Sequence, residues 1–133
     1  MLDHIGIKVS DYARAKAFYD KALAPLSMGA LMEFDFEGTR YAGFGKPADG
    51  GGPAAGKPTF WFNNEDKTSA PLHVAFPAQT RAEVDAFYQA ALAAGGTDNG
   101  PPGLRPHYHE HYYGAFVLDP DGHNIEAVCH APE

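Results

Sequence analysis

Two stretches of this sequence repeat one another, and that repeat limits the folds open to it more than any other feature. Sliding the chain until His4 lies on His73 also lays Ala17 on Ala86, Phe18-Tyr19 on Phe87-Tyr88 and Ala22-Leu23 on Ala91-Leu92. A slightly longer slide lays Tyr41-Ala42-Gly43-Phe44 on Tyr113-Gly114-Ala115-Phe116, and Asp49-Gly50 on Asp121-Gly122. The change of offset reads as a difference in loop length inside a duplicated module. At 133 residues the chain has the size of one domain, so the two copies share a single core. We expect module 1 over about 1–66 and module 2 over about 70–131.

Each copy opens on an alternating run. Ile5, Ile7 and Val9 fall on one face with His4, Gly6 and Lys8 on the other, and Leu72, Val74 and Phe76 oppose His73, Ala75 and Pro77. That period of two predicts a strand. A helix follows each run. Ser10 is the expected N-cap of the first, Tyr12, Ala15, Tyr19, Ala22 and Leu23 its apolar stripe and Pro25 its stop. Thr80-Arg81-Ala82-Glu83 is a capping box for the second, with Val84, Phe87, Tyr88, Ala91 and Leu92 at helical spacing and Gly95-Gly96 at its end. Strand-like segments then run near 30–36, 39–45 and 59–63, and again near 97–100, 112–118 and 124–129. Glu37-Gly38 and Asp119-Pro120-Asp121-Gly122 carry turn chemistry, and 45–57, rich in Gly, Pro and Ala, reads as loop. The class is α+β, with two βαβββ modules.

If the aliphatic face of each opening strand packs on its helix, His4 and His73 point the other way. The last strand puts Glu126 on the face opposite Ile125 and Ala127. A carboxylate buried in a sheet costs several kcal/mol unless it is paired or bound to a metal. Two imidazoles and one carboxylate suit a divalent first-row ion with open positions for substrate or water. The plainer alternatives are satisfied strand histidines, Glu126 paired to Arg105 or a backbone amide, and a metal-free pocket.

The strings running from Leu2-Asp3-His4-Ile5-Gly6-Ile7-Lys8-Val9 to Ala17-Phe18-Tyr19, and from Phe116-Val117-Leu118-Asp119-Pro120-Asp121-Gly122 to Glu126, resemble the opening and closing signatures of the vicinal oxygen chelate superfamily. Glyoxalase I, bleomycin-resistance proteins and extradiol dioxygenases belong to that group. The resemblance implies two modules forming a cupped mixed β-sheet with helices on its outer face. It places His4, His73 and Glu126 at the ligand positions for Zn, Ni, Mn, Fe or Co. It also implies a homodimer, since modules in that group often pair between chains. One departure stands out: glyoxalase I has a further ligand, usually glutamate, on the last strand of the first module, where this chain reads Thr59-Phe60-Trp61-Phe62-Asn63. The three remaining ligands are more like the set of fosfomycin-resistance transferases and extradiol dioxygenases. Trp61 then either walls the cavity or packs in the core.

The segment 101–113 holds Arg105 and the run His107-Tyr108-His109-Glu110-His111-Tyr112-Tyr113, more chemistry than a spacer needs. We expect one of His107, His109 or Tyr113 to assist proton transfer, and Arg105, Tyr112 and Trp61 to contact substrate. Alternate histidines at 107, 109 and 111 sharing one face would be a separate metal site, a minor reading.

The expected activity is isomerisation, lyase chemistry or group transfer on a small oxygenated molecule chelated to the ion; dioxygenase chemistry ranks lower. The alternative from another class is a metal-free protein that only binds its ligand, in the manner of bleomycin-resistance proteins. The 17 acidic and 10 basic residues give a net charge of -7 with no Lys/Arg cluster, which argues against nucleic acid as a partner. No apolar stretch is long enough to span a bilayer, so a membrane partner is not expected. The single Cys129 excludes an internal disulfide framework, and Asp3, His4 and Lys8 interrupt any secretory apolar region. The expected address is the cytoplasm.

Overall fold

A computed structural model describes residues 2–48, 56–65 and 71–133. The first half runs β1 (Ile5–Lys8), α1 (Tyr12–Leu23), β2 (Gly29–Phe36), β3 (Thr39–Gly45) and β4 (Phe60–Asn63). The second runs β5 (His73–Pro77), α2 (Arg81–Ala93), β6 (Thr97–Asp98), β7 (Gly103–Leu104), β8 (Tyr113–Leu118) and β9 (Asn124–Cys129). One sheet has the order β1-β4-β3-β2; the other has β5-β9-β8-β6, with β7 also on β8. In each, the opening strand lies parallel to the closing one, β1 on β4 and β5 on β9, and the remaining pairs are antiparallel. The repeat read from the sequence is therefore a repeat of topology. Its second copy breaks the second strand of the module into the short pieces β6 and β7. The expected module boundary near 66–70, and the Asp49-Gly50 match, lie outside the described residues.

The helix ends differ in part from expectation. Asp11, not Ser10, caps α1, its carboxylate accepting from Arg14 N–H at 3.1 Å. The Ser10 N–H donates instead to Asp121 at 3.2 Å. Pro25 does not stop the helix outright; it sits in a 3₁₀ turn, Ala24–Leu26, where its missing N–H costs nothing. At α2 the Thr80 hydroxyl accepts from Glu83 N–H at 3.1 Å, and the Glu83 carboxylate reaches back to Gln79 N–H, one residue earlier than the usual box.

One continuous core joins both halves. Ile7, Phe44, Phe60 and Phe62 from the first sheet and Phe76, Val117, Ile125 and Ala127 from the second meet Phe18, Tyr19, Leu23, Val84 and Phe87 of the helices, which also pack on each other. Both sheets thus turn one face toward the helices and leave the other outside the core. Polar groups stitch the halves together: Tyr19 donates to Asp119 at 2.6 Å. The buried His123 accepts from Leu72 N–H on Nδ1 at 2.9 Å and reaches Lys8 O with Nε2 at 3.4 Å. Among the described residues no helix is long and apolar enough to cross a membrane.

Candidate functional site

The strand period decides which side chains reach the open faces. On the second sheet His73, Phe116 and Glu126 share one face, since Ala75 and Phe116 are the register partners of Glu126 on β5 and β8. Glu126 is 1% exposed, and His73 Nε2 lies 2.8 Å from its Oε2. A carboxylate only accepts, so the proton between them rides on Nε2. The other oxygen takes the hydroxyl of Tyr112. Burial, and then the hydrogen bond to Glu126, hold the Tyr112 phenol well above its ordinary range, so Tyr112 is a donor there and not a base. Gly114 makes the contact possible: a Cβ on it would stand 3.2 Å from the Tyr112 ring and 3.3 Å from Glu126 Oε1.

Arg105 lies over the ring of Phe116, its guanidinium 5.5 Å from the centroid, and donates to Pro101 O at 2.7 Å. It is not the partner of Glu126. Tyr113, expected to move protons here, faces the other way: its hydroxyl donates to Asp85 of α2 at 2.7 Å and Arg81 stacks on its ring. One strand position separates Tyr112 from Tyr113, and it puts them on opposite faces. His107 rests on Tyr108, and His109 Nε2 lies 2.7 Å from His130 Nδ1, with both rings edge-on to Tyr112. His109 therefore borders Tyr112 on the exposed rim, and His107 lies one ring further out, against Tyr108. His111 bonds Glu110 at 3.3 Å, so the three alternate histidines do not converge.

The first sheet presents a different surface. His4 is exposed and hands its Nδ1–H to Asp3 at 2.7 Å, which leaves Nε2 as its acceptor or ligand atom. Lys57 and then His4 hold the Asp3 carboxyl below its usual value. Trp61 stands beside Gly6 and Gly43; a Cβ on Gly43 would come within 2.8 Å of the indole. Phe34 stacks on Tyr41 at 4.9 Å and meets Trp61 edge-on at 6.1 Å. A cavity of about 550 Å³ opens there, lined by Phe34, Tyr41, Trp61, His4 and Lys57 among others. Trp61 thus walls a cavity on the open face and is not a core residue. A second cavity of about 540 Å³ runs along the edges of β1 and β5 and touches both His4 and His73, but not Glu126.

His73 and Glu126 meet; His4 stays on the other sheet. Among the described residues no three His, Cys, Asp or Glu side chains converge to hold an ion within one chain. The donor types fit a divalent ion, with a buried carboxylate against an imidazole and a second imidazole oriented by its own carboxylate, but a single chain assembles only two of the three. Sequence reasoning missed His130, Phe116 and the ring pair Phe34–Tyr41. The alternation of β8 does place Phe116 beside Glu126; nothing in the pattern announces His130.

Comparison with solved structures gives the same architecture. A glyoxalase/bleomycin resistance protein from Albidiferax ferrireducens is 29% identical over 97% of this chain and 98% of its own, with a TM-score of 0.73. A glyoxalase/bleomycin resistance protein/dioxygenase domain from a Frankia species, 17% identical, covers 97% and 96% with a TM-score of 0.70. A glyoxalase I mutant from Zea mays is 24% identical over 96% of this chain, with a TM-score of 0.69; the match spans 46% of the maize chain. No functionally curated protein matches. The model of the Glyoxalase/Bleomycin resistance protein/Dioxygenase superfamily matches residues 1–127, and the chain belongs to that superfamily.

Proposed function

We propose that the protein is a divalent-metal enzyme acting on a small oxygenated substrate, and that it works in the cytoplasm as a homodimer whose site takes His73 and Glu126 from one chain and His4 from the other. The observation that carries this reading is Glu126, a carboxylate 1% exposed in the middle of a sheet and shared between His73 and Tyr112. His4 supports it, exposed on an outward face with Nδ1 on Asp3 and, among the described residues, no hydrogen bond to Nε2. An ion held by the three would supply Lewis-acid stabilisation of charge developing on substrate oxygens. The chain's own residues supply the rest. Tyr112 fixes the Glu126 oxygen and keeps its own proton. Arg105 offers donors to a substrate oxygen, and His107 and His109 on the rim exchange protons with it; Tyr113, held by Asp85, is not assigned that role.

A second reading, metal-free ligand binding, draws on the ring-lined cavity at Trp61. Elemental analysis separates the two after loading with Mn, Fe, Co, Ni and Zn in turn. The enzyme reading expects about one ion per chain in the parent and loss of the ion in Glu126→Gln and His4→Ala alike. A parent that takes up no ion from any of the five leaves only the binder.

A further inference from the structure

We propose that the ligand is a planar aromatic carboxylate, its carboxylate taken by Arg105 and its ring by the Trp61 surface. This deepens the dimeric reading and rests on it: the guanidinium and the ring surface stand on different sheets of one chain, and the dimer proposed above, in which His4 of one chain meets His73 and Glu126 of the other, would bring them together.

Arg105 is the charged end. Among the described residues Arg105, like Arg81, has no carboxylate partner, but Arg81 stacks on Tyr113 whereas Arg105 lies over Phe116, on the face of the second sheet that carries Glu126. Arg40 pairs with Asp35, Lys16 with Asp20, Lys57 with Asp3 and Lys8 with Glu65. The partners of Arg105 are the carbonyls of Pro101 and Leu104 and the face of Phe116, none of them a carboxylate. Glu126 is not its ion-pair partner either: both Glu126 oxygens are engaged by His73 and Tyr112. The loop is shaped around the guanidinium: a Cβ would press on it at 3.3 Å from Gly100 and at 3.1 Å from Gly103. A guanidinium fixed in this way keeps part of its donor fork for a carboxylate without losing side-chain freedom on binding.

The ring end is the first sheet. Gly43 lets the indole of Trp61 lie where any side chain at 43 would displace it. Phe34 is 44% exposed although it is stacked on Tyr41, so its ring offers apolar area that the chain itself does not cover. Three rings around a cavity of about 550 Å³ fit a flat π system better than a branched aliphatic one.

Trp61 is the one tryptophan of the chain, so its fluorescence reports on this surface. The parent protein is titrated with 2-naphthoate and with its neutral counterpart 2-naphthalenemethanol, and cyclohexanecarboxylate and inorganic phosphate are tested as displacers. We expect saturable quenching by naphthoate, at least about tenfold tighter than by the alcohol, with poor displacement by either competitor. Arg105→Ala removes the preference for naphthoate over the alcohol while the alcohol still quenches, and Arg105→Lys keeps part of the preference, which separates lost charge from a collapsed loop. Equal affinities in the parent, a preference that survives Arg105→Ala, absence of saturable quenching, or displacement by phosphate as effective as by naphthoate overturns the proposal. Metal content and sedimentation of the same samples report separately on the dimeric metal site. A metal-bearing dimer that does not discriminate between the probes sinks the ligand class alone; a metal-free dimer that discriminates sinks the metal alone; a monomer sinks both.

Discussion

Replacing Tyr112 by phenylalanine removes one donor and leaves a buried Glu126 oxygen without a partner, while nearly all the packing of the ring stays. Stranding a buried acceptor costs about 1–3 kcal/mol, more when it is charged. Tyr112→Phe is therefore expected to lower stability by about that amount in urea unfolding, whereas Tyr113→Phe, which loses an exposed bond to Asp85, costs under about 1 kcal/mol. Equal costs would mean that Glu126 does not depend on Tyr112. This pair also marks the limit of what the sequence could tell at this scale. The alternation of β9 placed Glu126 correctly, because six strand residues carry the pattern. Tyr112 precedes β8 at the end of a loop, where no period is available to say which of two adjacent tyrosines turns inward. The partner of His109 was equally hidden, since His130 follows the last strand and meets His109 only through the tertiary fold.

At the scale of elements, strands and helices were legible wherever a period or a cap was long enough to be read. Thr39–Gly45 and Asn124–Cys129 fall where expected, and so does the capping box at Thr80. The first helix start was misassigned by one residue because Ser10 and Asp11 are both good caps; the Asp11 carboxylate takes the Arg14 N–H, while the Ser10 N–H is tied to Asp121 from the far half of the chain. The broken second strand of module 2 was illegible for a related reason: Asn99 and Gly100 still exchange backbone bonds with Phe116 of β8, but Gly100 takes a positive φ and turns its own N–H to Asp98, and Arg105 rather than a strand partner holds the Pro101 carbonyl. Thr80→Ala should cost about 1 kcal/mol of stability, the usual worth of an N-cap, and the loss should appear as a lower urea midpoint with an unchanged slope. Gly96→Ala should cost more, because a Cβ there would lie 2.5 Å from Val117, 2.8 Å from Phe18 and 2.8 Å from the carbonyl of Ala91, contacts that rigid core and backbone do not yield. About 1–3 kcal/mol is expected for such overpacking, and a stability equal to the parent's would show that this junction of the two halves is looser than described.

The whole molecule is held by the contacts between its halves, and one of them titrates. Burial first, and then the neighbouring Asp119, push the Tyr19 phenol well above its ordinary value. A group whose pKa is raised by folding stabilises the fold fully below its unfolded value of about 10 and loses that contribution as pH climbs toward the folded one. Stability should therefore fall above about pH 10, and Tyr19→Phe should flatten that fall while leaving the curve at lower pH level with its own plateau. The same scale carries the functional claim. Both sheets spend one face on a shared core, so His4 and Trp61 on one side and His73, Glu126 and Arg105 on the other face out of the chain. The sequence could name the three candidate ligands from strand faces, but a period of two within a strand says nothing about which sheet faces which. The most direct test is a heterodimer purified through two different tags, one chain carrying His4→Ala and the other Glu126→Gln. Each variant alone should bind no ion. The heterodimer should regain about half the parent's content, because one of its two sites receives every intact ligand. A heterodimer as empty as its parent variants, beside a parent protein that binds metal, would contradict a site shared between chains.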